Sequence, residues 1–199
     1  MTWHPFEEFD ADFYARAPFR VVTQTTIDAS CEQSFATLKT GELWPKWIAA
    51  VERVDWTSPR PLGPDCTRVV TMKNGAKIDE RFIVWEENKR MGFCVTQATM
   101  ANIQRFGELY ELTPQEDGTC HLRWTFAVHM RTWWMRLVLL LLWPIMFLAL
   151  RSVIKRYAYV AQKYGAQALE DLRTTTPQLE ADAPTKNDEP TKNEAPTTQ

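Results

Sequence analysis

The sequence predicts an α+β domain: a curved, mainly antiparallel sheet of seven strands, two short helices after the first strand, and a long C-terminal helix. Three observations predict it. Seven runs between Phe19 and Met130 are rich in β-branched and aromatic residues and are separated by turn residues. Apolar residues at helical spacing follow the first of these runs and again the last. Strands joined by short turns pair with their neighbours, and the natural twist curls such a sheet.

The elements follow in order. FRVVTQTTI (Phe19–Ile27) alternates as a strand. Asp28 or Ser30 then caps a helix with Glu32 in its first turn, and Phe35, Leu38, Leu43, Trp44, Trp47 and Ile48 mark two short helices broken at Gly41 and Pro45. Strands are expected at 51–57, 66–73, 76–86, 93–99, 106–112 and 120–130. PRPLGPD turns the chain between the second and third, and Asn74-Gly75 makes a two-residue hairpin before the fourth.

The most apolar stretch is WWMRLVLLLLWPIMFLALRSVI, Trp133 to Ile154. Its uncharged run, Leu137–Leu150, is 14 residues between Arg136 and Arg151, or about 21 Å as a helix. That is short of the roughly 20 residues that span a bilayer. Pro144 is expected to divide it into two helical pieces. The second continues with apolar residues at Val153, Tyr157, Val160, Tyr164, Ala168 and Leu172, a one-sided helical spacing. The expectation is a helix deeply buried at its start and lying along a surface later.

Three segments make up the 199 residues. Residues 1–18 form an acidic arm with aromatic teeth (Trp3, Phe6, Phe9, Phe13), spaced for a short amphipathic helix whose charge answers the cationic C-terminal region. Residues 19–172 form the domain. Residues 173–199, proline-rich with a degenerate APTKND repeat, cannot bury enough to order themselves and carry no chemistry. Both ends are acidic, so the body is net positive, and between Asp117 and Glu170 there is no acid but seven arginines and lysines. This basic, tryptophan-bearing region has the composition of a surface that meets anionic lipid, with Trp133, Trp134, Arg136, Trp143 and Arg151 as contacts. The competing reading, and the one favoured, has the same cations ending helices and facing water. No nucleic-acid motif is present. Cys31, Cys66, Cys94 and Cys120 are widely spaced and read as separate buried thiols rather than a metal or redox set. The start, MTWHPFEEFD, lacks the pattern of a secretory signal, so a cytoplasmic, reduced setting is expected.

The order of elements, the entry TTIDASCEQSFATL, the tryptophans of LWPKWIAAVERVDW, the glycine turn before CTRVV, and the paired strands of IDERFIVWEENKRMGFCV together resemble the helix-grip fold of the SRPBCC superfamily. Within that superfamily the chain is similar to the polyketide cyclase/dehydrase-like branch related to StAR-related lipid-transfer domains. The resemblance implies a cavity between sheet and long helix that takes a hydrophobic small molecule or lipid. No cofactor or metal is expected.

Strand alternation places candidates around such a cavity. Cys120, Leu122, Trp124, Phe126, Val128 and Met130 share one face of the last strand, with His121 and His129 on the other. Ile78, Glu80, Phe82 and Val84 share a face, as do Phe106, Glu108, Tyr110 and Leu112. The expected lining is therefore Trp47, Phe82, Val84, Phe93, Glu108, Tyr110, Trp124, Phe126 and Val128. Burial would raise the pKa of Glu80 and, with Tyr110, fit it for acid–base catalysis of a cyclisation or dehydration. The competing reading pairs Glu80 and Glu108 with Arg68 or Arg105 as structural ion pairs at a strand edge or the cavity mouth. No activated nucleophile or phosphate loop is present, which favours binding or transfer over catalysis.

Overall fold

In a computed structural model, residues 2–181 are described, side chains as far as Thr174. The expected repeat segment from residue 182 onward lies outside them. The elements are β1 (His4–Pro5), α1 (Phe13–Arg16), β2 (Phe19–Ile27), α2 (Cys31–Lys39), a 3-10 turn (Gly41–Leu43) and α3 (Trp44–Trp47). Then follow β3 (Val51–Trp56), β4 (Thr67–Met72), β5 (Lys77–Glu86), β6 (Arg90–Ala98), β7 (Ile103–Pro114), β8 (Cys120–Met130) and α4 (Trp133–Ala181).

All strand pairs are antiparallel, in the order β2-β8-β7-β6-β5-β4-β3. The first and second long strands thus sit at opposite edges, and α2 and α3 carry the chain across one face between them. Ser30 starts α2 with a reciprocal capping box to Gln33. The β4–β5 hairpin has a three-residue loop, not two. Gly75 N–H bonds Met72 C=O, and Gly75 takes φ 84°, closing a turn that Asn74 enters with negative φ.

The N-terminal arm departs from its expected helix. β6 and β7 pair only from Arg90 to Cys94 and then part. The arm enters that fork in extended form: His4 and Pro5 pair with Ala98 and Gln97, and the Phe6 and Glu7 amides bond Thr96 and Gln104 carbonyls. An extended arm satisfies strand groups that β6 and β7 leave unpaired in the fork, whereas a helix here would lack the N–H that Pro5 does not have. Phe6 reaches the main core, whereas Phe9, Phe13 and Tyr14 cover the outer face of the sheet around Ala127 and Leu109. Gly107 permits this, since a Cβ there would lie 2.6 Å from the Phe9 ring. The arm's acids answer the sheet, not the C-terminal helix: Glu7 pairs with Arg105 and Glu8 with Arg81.

The long helix reverses the expected order of burial and is continuous through Pro144. One stripe, Met135, Leu139, Met146, Phe147 and Leu150, packs on Phe19, Val21, Val128 and Met130. That stripe holds the chain on both sides of the proline, which outweighs the lost hydrogen bond. The other faces of this half are open: Leu141 is 81% exposed and Leu148 65%. Beyond Leu150 the helix sinks in, with Ile154, Tyr157, Val160, Ala161 and Ala168 buried. The reason is cover. Over the second half lie α2 and α3 as well as the sheet: Tyr157 OH bonds Ser34 C=O at 2.6 Å, and Gly165 lies against the Gln33 backbone. The first half has only the edge of β2 and the end of β8 beneath it. The helix also runs past Leu172, where the periodicity ended it, to Ala181.

Cys31 and Cys120, expected as separate thiols, form a disulfide between the start of α2 and β8, with Cα atoms 5.1 Å apart. Spacing along the chain hid it, because their separation is 89 residues and only the fold brings them together. Cys66 and Cys94 are free and buried.

Candidate functional site

Between the concave face of the sheet and α4 lies a cavity of about 320 Å³. β4 and β5 contribute Val70, Met72, Ile78 and Glu80; β6 to β8 contribute Phe93, Phe106, Glu108, Trp124, Phe126 and Val128. Trp44 and Ile48 close one side, and Leu150 and Val153 of α4 close the other. Met100 and Ile103, where β6 turns into β7, complete the rim. The lining is apolar except for two carboxylates, Glu80 and Glu108.

Of the expected lining residues, Phe93, Glu108, Trp124, Phe126 and Val128 stand in this wall. Trp47, Phe82 and Tyr110 stand behind it, fully buried. Trp47 fills the space among Trp44, Tyr110, Trp124 and Tyr157. Val84 is on the opposite face. A bulge in β5 between Phe82 and Val84 breaks the alternation, sending Val84 to the cluster of Phe13 and Tyr14 and turning Trp85 inward onto Phe82. Alternation read from sequence has no means to register such an insertion. Met100 and Ile103 lie where β6 turns into β7, where periodicity is weakest; Leu150 and Val153 lie within α4, and only the fold shows which of its faces meets the cavity.

Glu80 and Tyr110, the residues expected to share acid–base work, are each committed elsewhere. Arg68 Nε donates to Glu80 Oε2 at 2.5 Å, with the arginine side chain fully buried. The pair was expected at an edge or mouth and lies in the core. The guanidinium carbon is 3.9 Å from the Trp44 ring centroid and 4.9 Å from that of Phe82, a cation–π enclosure that keeps water out. Burial pushes the Glu80 carboxyl up, against the pull of Arg68. The Tyr110 hydroxyl donates to Glu108 Oε2, and Trp124 Nε1 donates to the same oxygen at 3.2 Å. Burial, reinforced by the charge of Glu80, lifts Glu108 to about 7 in spite of these bonds. Glu108 is thus a group in this cavity placed to take up or release a proton near neutral pH. Arg105, the other expected partner, is drawn out to Glu7.

His121 and His129 lie on the outer face of β8, and burial with Arg136 and Arg105 nearby lowers the pKa of His129. Among the described residues no group of three or more His, Cys, Asp or Glu is arranged to hold a metal ion. Trp133, Trp134, Trp143 and Arg151 are exposed on the open half of α4, and Arg136 bonds the Met130 carbonyl at its base.

A family model described as "Polyketide cyclase / dehydrase and lipid transport" matches residues 18–156, which take in the sheet, the cavity and the open half of α4. The chain belongs to this family. It is a member of the SRPBCC superfamily, and hydrophobic ligand binding in general is what that membership supports. Uncharacterized proteins of Mycobacterium tuberculosis and Mycobacterium bovis are 34% identical to it over 124 residues, covering 62% of this chain and 74% of theirs. Among solved structures, Ara h 8.0201 is similar with a TM-score of 0.54 at 12% identity, covering 75% of this chain and 98% of that one. A START superfamily protein from Mycobacterium smegmatis has the same TM-score at 11% identity, covering 74% and 97%. At such identities the family member shares the helix-grip fold with these proteins, and the likeness extends no further than the fold.

Proposed function

We propose that this protein binds or transfers a hydrophobic small molecule or lipid held between the sheet and α4. The observation that carries the reading is the composition of the cavity wall: apolar and aromatic throughout, interrupted by two carboxylates at one place. Sites for small ligands have this form, a greasy enclosure with few polar groups that fix orientation. Its volume of about 320 Å³ suits one small molecule or a single chain better than a two-chain lipid. Native mass spectrometry of gently purified protein tests it. An apolar adduct is expected on the wild type and is lost from Val153→Trp, which fills the space; a chain with no adduct and no saturable uptake of an apolar fluorophore would refute the reading.

A second reading, contact with an anionic membrane, is supported by the open half of α4. The helix is long and apolar enough to cross a membrane by length and composition. Its stripe from Met135 to Leu150 is already packed on the chain's own sheet, which suits lying in the interface better than crossing. Arg131, Arg151, Lys155 and Arg156 are exposed at its two ends, placed for headgroups. The expected result is sedimentation with phosphatidylglycerol vesicles at low salt and release as salt screens the cations. Protein left in the supernatant at low ionic strength would end this reading.

A further inference from the structure

The cavity's polar end is unlike the rest of its wall. Glu108 is held there by two donors on one oxygen, the Tyr110 hydroxyl and the Trp124 indole, whose rings stack within 9° of parallel with centroids 5.7 Å apart. A carboxyl clamped through Oε2 has its orientation set and keeps Oε1 for another partner. Glu80 lines the same wall, so the two ionisable groups that face the space are both acids.

The cation that pairs with Glu80 stands outside the cavity wall. Arg68 gives its Nε to Glu80, and its two Nη atoms are shielded and without hydrogen bonds among the rings of Trp44, Trp56, Phe82 and Phe93. An anionic headgroup entering the cavity would therefore meet one or two carboxylates and no cation in the wall. In a poorly polarisable interior that repulsion is strong. A hydroxyl meets no such barrier: it donates to an ionised Glu108 and accepts from a protonated one.

We propose that Glu108 is the headgroup receptor of this cavity, and that it selects an uncharged, hydroxyl-bearing apolar molecule over one ending in a carboxylate or phosphate. This rests on the reading of the cavity as a ligand site and adds the ligand's chemical class. The protonation of Glu108 near neutral pH supports it, since an acid facing Glu80 on β5, Arg68 on β4 and Tyr110 on its own strand changes which hydrogen bond it offers without losing the partner.

The test uses three ring compounds that differ only at one position, 2-naphthol, 2-naphthoate and 2-methylnaphthalene, titrated into the full chain and followed by tryptophan fluorescence. At pH 8 the naphthol is expected to bind at least tenfold more tightly than the naphthoate, and the ratio is expected to shrink by pH 6 as Glu108 takes up its proton. In Glu108→Gln, whose amide donates to an anion, the ratio is expected to fall to within threefold at both pH values. Naphthol and naphthoate binding equally to the wild type at pH 8 would overturn the proposal, as would naphthol binding no better than the methyl compound. In both cases the cavity reading would stand. Should none of the three bind, the cavity reading falls and the proposal with it. The wild-type series alone decides the matter if the glutamine variant does not fold.

Discussion

Arg68 and Glu80 face each other across the β4–β5 ladder and form a buried ion pair, Nε to Oε2 at 2.5 Å. Burying both charges costs desolvation, and their attraction offsets this only while both are present. Arg68→Met, which keeps the contact with Trp44, leaves Glu80 alone and is expected to destabilise the fold by about 3–5 kcal/mol. Adding Glu80→Gln should restore most of that loss. Urea denaturation of the two single variants and the double variant measures it; a double variant no more stable than Arg68→Met would show that packing, not charge, is what the arginine contributes.

Glu108 sets a stability change with a definite sign. Its carboxyl titrates at about 7 when folded against an ordinary value of 4.5. Between these values the folded chain holds a proton that the unfolded chain has released, so stability falls as pH rises through this window and levels off above it. The fall attributable to this group is on the order of 3 kcal/mol. Glu80 is raised in the same sense, so the quantity to compare is the difference between wild type and Glu108→Gln across pH 4.5–7.5. Parallel profiles would place the titration elsewhere.

The Cys31–Cys120 bridge closes a loop of 89 residues between the start of α2 and β8. Cross-links of native geometry typically contribute about 2–4 kcal/mol by restricting the unfolded chain. Unfolded without reductant, the protein is expected to label at two thiols, Cys66 and Cys94, and at four after reduction; four labels without reductant would mean that the bridge is absent. Cys31→Ser should lower the denaturation midpoint of unreduced protein and leave that of reduced protein nearly unchanged.

The arm is a structural part of the sheet where β6 and β7 diverge. Phe6 is buried in the main core, while Phe9 is half-buried on the outer face. Phe6→Ala is expected to cost about 3–5 kcal/mol and Phe9→Ala distinctly less. Equal small losses at both positions would mean the arm is only loosely docked.

Much of this was legible from residues alone. The bounds of β2 and β8 follow from strict alternation, and the inward face of β8, from Cys120 to Met130, follows from the same period. What escaped was whatever depends on a second element. Alternation alone puts Val84 in the cavity, because a bulge is invisible in a hydrophobic pattern. The disulfide was missed because two cysteines far apart in sequence meet only when β8 pairs with β2 and α2 folds over it. The burial of α4 was inverted for the same reason. Hydrophobicity says how much a helix gains from being covered, not where cover exists, and α2 and α3 lie over the less apolar half.

That inversion leads to the most consequential expectation. Leu141 and Leu148 are two of the most exposed side chains on α4, and neither belongs to the stripe that Met146 and Phe147 bury against Val21 and Val128. Changing both to glutamate therefore removes apolar surface that the folded chain does not itself use, and adds charge that anionic lipid repels. Leu141→Glu/Leu148→Glu is expected to keep the wild-type denaturation midpoint and to lose sedimentation with phosphatidylglycerol vesicles. Met146→Glu, on the packed stripe, is expected to do the reverse: it buries an unpaired carboxylate, lowers the midpoint and costs about 2–4 kcal/mol of stability. If the double variant were instead as destabilised as Met146→Glu, the open face would be covered by something within the protein or by a second copy of it. If it kept its stability and still bound vesicles as the wild type does, the helix would not be the membrane-facing element.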